Sequence, residues 1–137
     1  MTVQKKIILS KNQAETLKRH AVQNRPNESC AILFGNNSNG QFLIRDIFLT
    51  RNARPSPVNF TISNEELIQA YEEAERKNLE ISAIFHSHPE SAAYPSSTDL
   101  QYMQINPVPW IIYSNTRDEL KAFILESTLV LVDVTVL

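Results

Sequence analysis

The 137-residue chain has a single cysteine, Cys30, so no disulfide can form within it. Cys30 stands in an apolar stretch, where a lone thiol acts as a small buried hydrophobe. An excess of either charge is also missing, since 13 Lys and Arg against 15 Asp and Glu leave a net charge of −2. That balance lacks the basic footprint selected by phosphate backbones, so nucleic acid is not an expected partner. No apolar run approaches the roughly 20 residues that cross a bilayer. The opening MTVQKKIILSKNQ has no long apolar segment ending in small residues. A cytoplasmic location with no membrane partner is therefore expected. The chain also lacks His-Glu-x-x-His, and it lacks His-x-Glu followed by Pro-Cys-x-x-Cys. These absences exclude a helical zinc protease and argue against a zinc deaminase. With no repeats, low-complexity tracts or long linker, residues 1–137 read as one domain, large enough to bury about two thirds of its unfolded surface.

What is present centres on residues 81–99, ISAIFHSHPESAAYPSSTD. Side chains at i and i+2 of a strand leave on the same face, so His86 and His88 can aim ring nitrogens at one point, with Ser87 on the other face. Ile81, Ala83, Ile84 and Phe85 read as a buried strand that carries the pair at its carboxyl end. Pro89 stops the strand, and the turn-rich run 90–97 can return Asp99 as a third ligand. Two imidazoles and a carboxylate suit zinc, and three protein ligands leave a fourth position open for chemistry. Histidines at this spacing also occur on strand surfaces with no metal, so the pair alone does not decide.

Elsewhere the pattern gives β-α-β-β-α-β-α-β-β-β. A strand over 5–9 precedes a helix capped by Ser10, with Ala14, Leu17 and Ala21 inward, ended by Arg25-Pro26. His20 reads as a surface or boundary residue of that helix. Glu28 precedes an apolar strand over 30–34. Residues 35–40 form a turn cluster, 41–50 a returning strand and 51–57 a proline-bearing loop. Phe60 and Ile62 pack before Ser63, which with Glu66 predicts a capping box for a helix presenting Leu67, Ala70, Tyr71 and Ala74. Its charges at 72, 73, 75, 76 and 77 form a solvated face. Ser97 is the expected cap of a short helix over 98–104 that holds Asp99 in its first turn, and strands follow at 110–113, 120–125 and 128–137.

His86-Ser87-His88, seven residues, Ser96, two residues and Asp99 resemble the JAMM motif of the JAB/MPN metalloprotease family, and Glu28 before its apolar strand resembles the family's upstream glutamate. Asn52 is similar to an asparagine that precedes an irregular loop in the family. The resemblance implies an α/β fold, an α-β-α sandwich around a mixed, curved sheet of the cytidine-deaminase-like kind. It implies one zinc per chain held by His86, His88 and Asp99, with Glu28 as general acid and base toward a metal-activated water. The Ser96 hydroxyl would donate to the developing oxyanion, and Ser87 would support or pack. Burial would raise the Glu28 pKa and a nearby cation would lower it; the residues leave that balance open.

The implied reaction is hydrolysis of the isopeptide bond between the terminal glycine of a ubiquitin-like modifier and a lysine, the modifier's tail lying beside an exposed strand. Two alternatives remain: a sulfur-carrier processing hydrolase that releases cysteine from a β-grasp protein's tail, and a non-catalytic MPN scaffold. Ala31 and Ala83 stand where the family usually has glycine, which implies tighter packing without loss of metal. The chain also lacks the long insert and terminal helices of the proteasome-lid enzyme. That favours a small prokaryotic-type enzyme, with a homodimer or a proteasome-type assembly as partner states.

Overall fold

A computed structural model describes residues 4–137; residues 1–3, the first of the stretch read as leaderless, lie outside them. The elements are β1 (Lys6–Leu9), α1 (Lys11–Asn24), β2 (Cys30–Ser38), β3 (Gln41–Thr50), α2 (Asn64–Arg76), β4 (Glu80–His88), α3 (Ser97–Met103), β5 (Trp110–Ser114), β6 (Glu119–Leu125) and β7 (Leu129–Val136). Their order is the one expected from the sequence pattern. Among the described residues, no helix is long and apolar enough to cross a membrane.

Strand alternation divides the core into two faces. On β2, Ala31 and Leu33 point to one side, where Ala14, Leu17 and Ala21 of α1 pack, together with Phe85, Ile111 and Val132. Ile32 and Phe34 point to the other side, against Ala70 and Ala74 of α2. Met103 of α3 meets Trp110, Ile112 and Phe123 on that second face. Helices thus cover both faces of a mixed sheet. The sheet is nevertheless closed, in the order β1-β3-β2-β4-β5-β6-β7, rather than an open sandwich layer. Closure comes from β1, which pairs in parallel with both β3 and β7 while burying Ile7 and Leu9.

Local chemistry accounts for the ends of the helices. The Ser10 hydroxyl accepts from the Gln13 N–H at 3.0 Å, and the Gln13 side chain accepts in return from the Ser10 N–H at 2.8 Å, a complete capping box. The box expected for α2 is half made. Ser63 accepts from the Glu66 N–H, but the Glu66 carboxylate accepts from the Arg51 N–H at 3.0 Å, so it secures the preceding loop instead. His20 is half-buried, with its Nε2 2.9 Å from the Cys30 carbonyl and 3.2 Å from that of Thr50, a boundary residue that ties α1 to the sheet.

The β2–β3 hairpin is tighter than the sequence cluster suggested. Only Asn39 and Gly40 form the turn, at φ 51° and 76°, as a two-residue connection with positive φ at both positions requires. Gly35 lies inside β2, where the register shifts against β3. A Cβ on Gly35 would stand 1.9 Å from the Leu43 carbonyl oxygen, a backbone atom that cannot swing aside. Gly35→Ala should therefore cost about 3 kcal/mol or lose the hairpin register. The midpoint of chemical unfolding measures this, and an unchanged midpoint would show that the bulge can relax.

Candidate metal centre

The strand β4 ends at the site because Pro89 follows it, and its last three residues alternate as two-residue spacing demands. His86 and His88 share one face, and both are buried. Ser87, on the other face, accepts from the Ser29 N–H at 2.8 Å and from the Ser29 hydroxyl at 3.0 Å. That pair fastens the end of β4 to the residue following Glu28. Asp99 arrives from the first turn of α3. The helix cap is Ser96, one residue earlier than Ser97: its hydroxyl accepts from the Asp99 N–H at 3.0 Å, and the Asp99 carboxylate accepts from the Ser96 N–H at 2.9 Å. Ser-x-x-Asp was the legible signal for this reciprocal box. Ser97 lies in the first helical turn, outside the box.

The side chains converge. His86 Nε2 lies 3.1 Å from His88 Nε2, and Asp99 Oδ2 lies 3.0 Å from the first and 3.1 Å from the second. Donors around a tetrahedral zinc with bonds of roughly 2.0–2.1 Å stand about 3.3 Å apart, so this triangle matches such an ion to within a few tenths of an ångström. His88 Nδ1 meets the Ala92 carbonyl at 2.9 Å, which fixes that ring with Nε2 facing the triangle. Glu28, also buried, places Oε2 3.9 Å from His88 Nε2, while its Oε1 is buried with no hydrogen-bond partner among the described residues. Two imidazoles and one carboxylate facing one point, with a second carboxylate 3.9 Å from one imidazole and one of its oxygens orphaned, fit a divalent cation and a further ligand. Glu28, His86, His88 and Asp99 are therefore brought together, with Ser96 at their edge.

The electrostatics follow from burial. Burial pushes the Glu28 carboxyl up to about 8; His88 pulls it down and Asp99 pushes it further up. Burial also pushes His86 down and outweighs the opposing contact with Asp99. At His88 burial again pulls downward, but the bonds to Asp99 and Ala92 and the charge of Glu28 prevail and raise it. At Asp99 burial opposes ionisation, yet His86, His88 and the Ser96 N–H together hold it well below the usual carboxylate range. Burial thus favours the neutral form of the Glu28 carboxyl, while the two imidazoles favour the charged form of Asp99. A cation in the triangle would lower the Glu28 pKa by attraction.

Beside the histidines runs an apolar groove of two adjoining hollows, about 200 and 320 Å³, lined by Ile62, Leu67, Ile84 and Ile105 and reaching Phe60 and Trp110. The seven strands close on one another, yet β1 pairs with β3 only at Gln41–Leu43, so the remainder of β3 is paired on one side alone among the described residues. The groove ends at Phe60 and Trp110, the two rings that pack on His86. Cys30 has no place in the site; burial raises its thiol to about 11, with Thr50 donating to its sulfur.

A mixed α/β domain carrying a buried His-His-Asp triangle with an adjacent glutamate defines the class. Residues 10–126 match the model of prokaryotic homologs of the JAB domain, and the chain belongs to that family. It is 42% identical over 98 residues to a Pyrococcus furiosus protein named desampylase, an alignment covering 72% of this chain and 66% of that protein, just under two thirds of its length. It is 28% identical over 112 residues to a Thermus thermophilus protein named "Probable TtuB-protein conjugate cleaving protease", covering 81% and 70%. It is 27% identical over 112 residues to the CysO-cysteine peptidase of Mycobacterium tuberculosis, covering 82% and 75%. A solution structure from Desulfitobacterium hafniense superposes with a TM-score of 0.86 at 25% identity, over 96% of this chain and 92% of that one.

Proposed function

We propose that the protein is a zinc-dependent isopeptidase that hydrolyses the bond between the terminal glycine of a ubiquitin-like modifier and a lysine of its conjugate. The observation that carries this reading is the triangle of His86 Nε2, His88 Nε2 and Asp99 Oδ2 with a Glu28 oxygen 3.9 Å from His88 Nε2. His86, His88 and Asp99 would hold the ion, which when bound supplies a Lewis acid and acidifies water at neutral pH. Glu28 is the proton carrier: it takes the proton from the attacking water and returns it to the leaving lysine amine. Its burial, with Oε1 unpartnered, keeps it free for that transfer. The Ser96 hydroxyl oxygen accepts from the Asp99 N–H, which leaves its own hydrogen to donate to the oxyanion that forms on the scissile carbonyl. The apolar groove beside Trp110 suits an extended tail.

Similarity to the desampylase and to the TtuB-protein conjugate cleaving protease supports cleavage of a modifier from a protein. Similarity to the CysO-cysteine peptidase favours a second reading, release of cysteine from a carrier protein's tail. The test is incubation of zinc-loaded protein with a panel of lysine conjugates and cysteine adducts of small β-grasp modifiers, the products weighed by mass spectrometry. Free lysine-bearing target together with a modifier ending in its glycine is the expected result. Free cysteine with untouched lysine conjugates would transfer the assignment to the second reading.

Ser96→Ala separates two duties of one hydroxyl. Loss of an oxyanion donor should lower kcat by about a hundredfold. Loss of the cap should cost about 1 kcal/mol of stability. Steady-state kinetics alongside thermal unfolding reads both, and an effect confined to KM would reassign Ser96 to substrate contact.

A further inference from the structure

The loop between β3 and α2 has no regular structure, yet one side chain organises it. The half-buried Asn52 donates through Nδ2 to the Glu28 carbonyl and to the Asn59 carbonyl, each at 3.0 Å. Its Oδ1 accepts from the Thr61 N–H at 3.0 Å and from the Arg54 N–H at 3.2 Å. Both donors and the acceptor oxygen of the amide are thus used, which is its usual bonding capacity. Two of the four partners, Asn59 and Thr61, flank Phe60. The loop also grips Glu28 from its other main-chain group, because the Glu28 N–H donates to the Ser56 carbonyl at 2.8 Å. Ala53 donates to the Thr61 carbonyl at 2.8 Å and closes the base of the loop.

Phe60, so held, stacks on His86 with ring centroids 4.8 Å apart and planes 25° apart. Trp110 meets His86 edge-on at 5.7 Å and 82°. This matters because the two histidines are oriented differently. His88 has the Ala92 carbonyl on Nδ1, the usual means of fixing a ligand ring, whereas His86 Nδ1 is buried with no hydrogen-bond partner among the described residues. Asp99 holds the Nε2 end of the His86 ring, but no hydrogen bond holds its Nδ1 side, where the packing of Phe60 and Trp110 is left to fix the ring.

We propose that Asn52 and Phe60 are positioning residues of the centre: the Asn52 amide closes the 52–61 loop over the Glu28 main chain, and the loop in turn presses Phe60 onto His86 in place of a hydrogen bond to Nδ1. The inference rests on the metal reading given above. It makes one polar side chain, which touches no ligand atom, responsible for the alignment of both the proton carrier and one metal donor.

The experiment compares wild type, Asn52→Ala, Asn52→Asp and Phe60→Leu. Zinc affinity is measured by competition with a chromophoric chelator, and the His86 ring protons are followed by NMR in the metal-free proteins, where a stacked phenyl ring shifts them upfield. Asn52→Asp keeps an acceptor for Thr61 and Arg54 but loses the donor to Glu28 and Asn59, and Phe60→Leu removes the ring while leaving the loop's bonds intact. Asn52→Ala and Phe60→Leu are expected to weaken zinc about 10–100-fold, the range for groups that orient metal ligands. In Asn52→Ala the ring shift at His86 should vanish although Phe60 is still present, which a merely destabilising change in a folded protein would not do. Asn52→Asp should resemble Asn52→Ala. Wild-type zinc affinity in Phe60→Leu, or an unchanged His86 shift in both folded Asn52 variants, overturns the proposal while the isopeptidase reading stands. Failure of the wild type itself to bind zinc removes that reading, and this one falls with it.

Discussion

Glu28→Gln is expected to retain zinc and fold while losing hydrolysis by about 10³-fold, within the range for removal of a positioned general base. The side chain is nearly isosteric, and its backbone would still be gripped by Ser56 and Asn52. What disappears is the ability to take up a proton. The local energetics predict no collapse, because burial already disfavours the charged carboxyl so strongly that its pKa is pushed up to about 8. A neutral amide in that position avoids the cost of a buried charge, though its N–H group must find a partner near the orphaned Oε1 position, a penalty of about 1–3 kcal/mol if none exists. Metal analysis, thermal unfolding and turnover on one conjugate make the comparison. Near-normal turnover with full zinc would remove Glu28 from proton transfer and leave the centre without a base among the residues named.

Features of this fold that depend on neighbours in sequence are legible in the chain, and those that depend on distant backbone are not. His86 and His88 converge because strand geometry puts i and i+2 on one face, and Asp99 returns because Ser96-x-x-Asp99 is a local capping pattern; both are legible within 14 residues. The same pattern marks Ser96, one position before Ser97, as the cap. Closure of the sheet was not legible, since β1 is only four residues long and its parallel partners lie more than 30 and more than 120 positions away. Gly35 looked like part of a turn because glycine and asparagine cluster there; the register shift that places it against Leu43 is visible only once the hairpin is paired. Asn52 stood out by family likeness alone. Its four partners are main-chain groups, which carry no side-chain signature. The stacking of Phe60 on His86 was hidden for a related reason, since an aromatic residue before a helix reads as ordinary packing.

Loss of the metal is the larger expected effect at the other end of the site. His88→Ala should weaken zinc by more than about 10³-fold, beyond the 10–100-fold typical when only an orienting partner is lost. His88 is the better choice for this test than His86. Its ring is fixed by Ala92, it is the shared neighbour of Asp99 and Glu28, and no other nitrogen among the described site residues can replace Nε2. With the ring gone, Asp99 keeps its bonds to the Ser96 N–H and to His86, so the helix cap and the fold should persist. A ligand that binds the folded state raises stability by about 2.7 kcal/mol at a hundred times its Kd. Addition of zinc should therefore raise the melting temperature of the wild type and leave His88→Ala unmoved, with Asp99→Asn intermediate, because its amide oxygen can still coordinate but carries no charge. A variant that lacks the His88 ring and still takes up one zinc with the full thermal shift would show that the three converging donors are not the metal's ligands, and the hydrolytic reading would lose its centre.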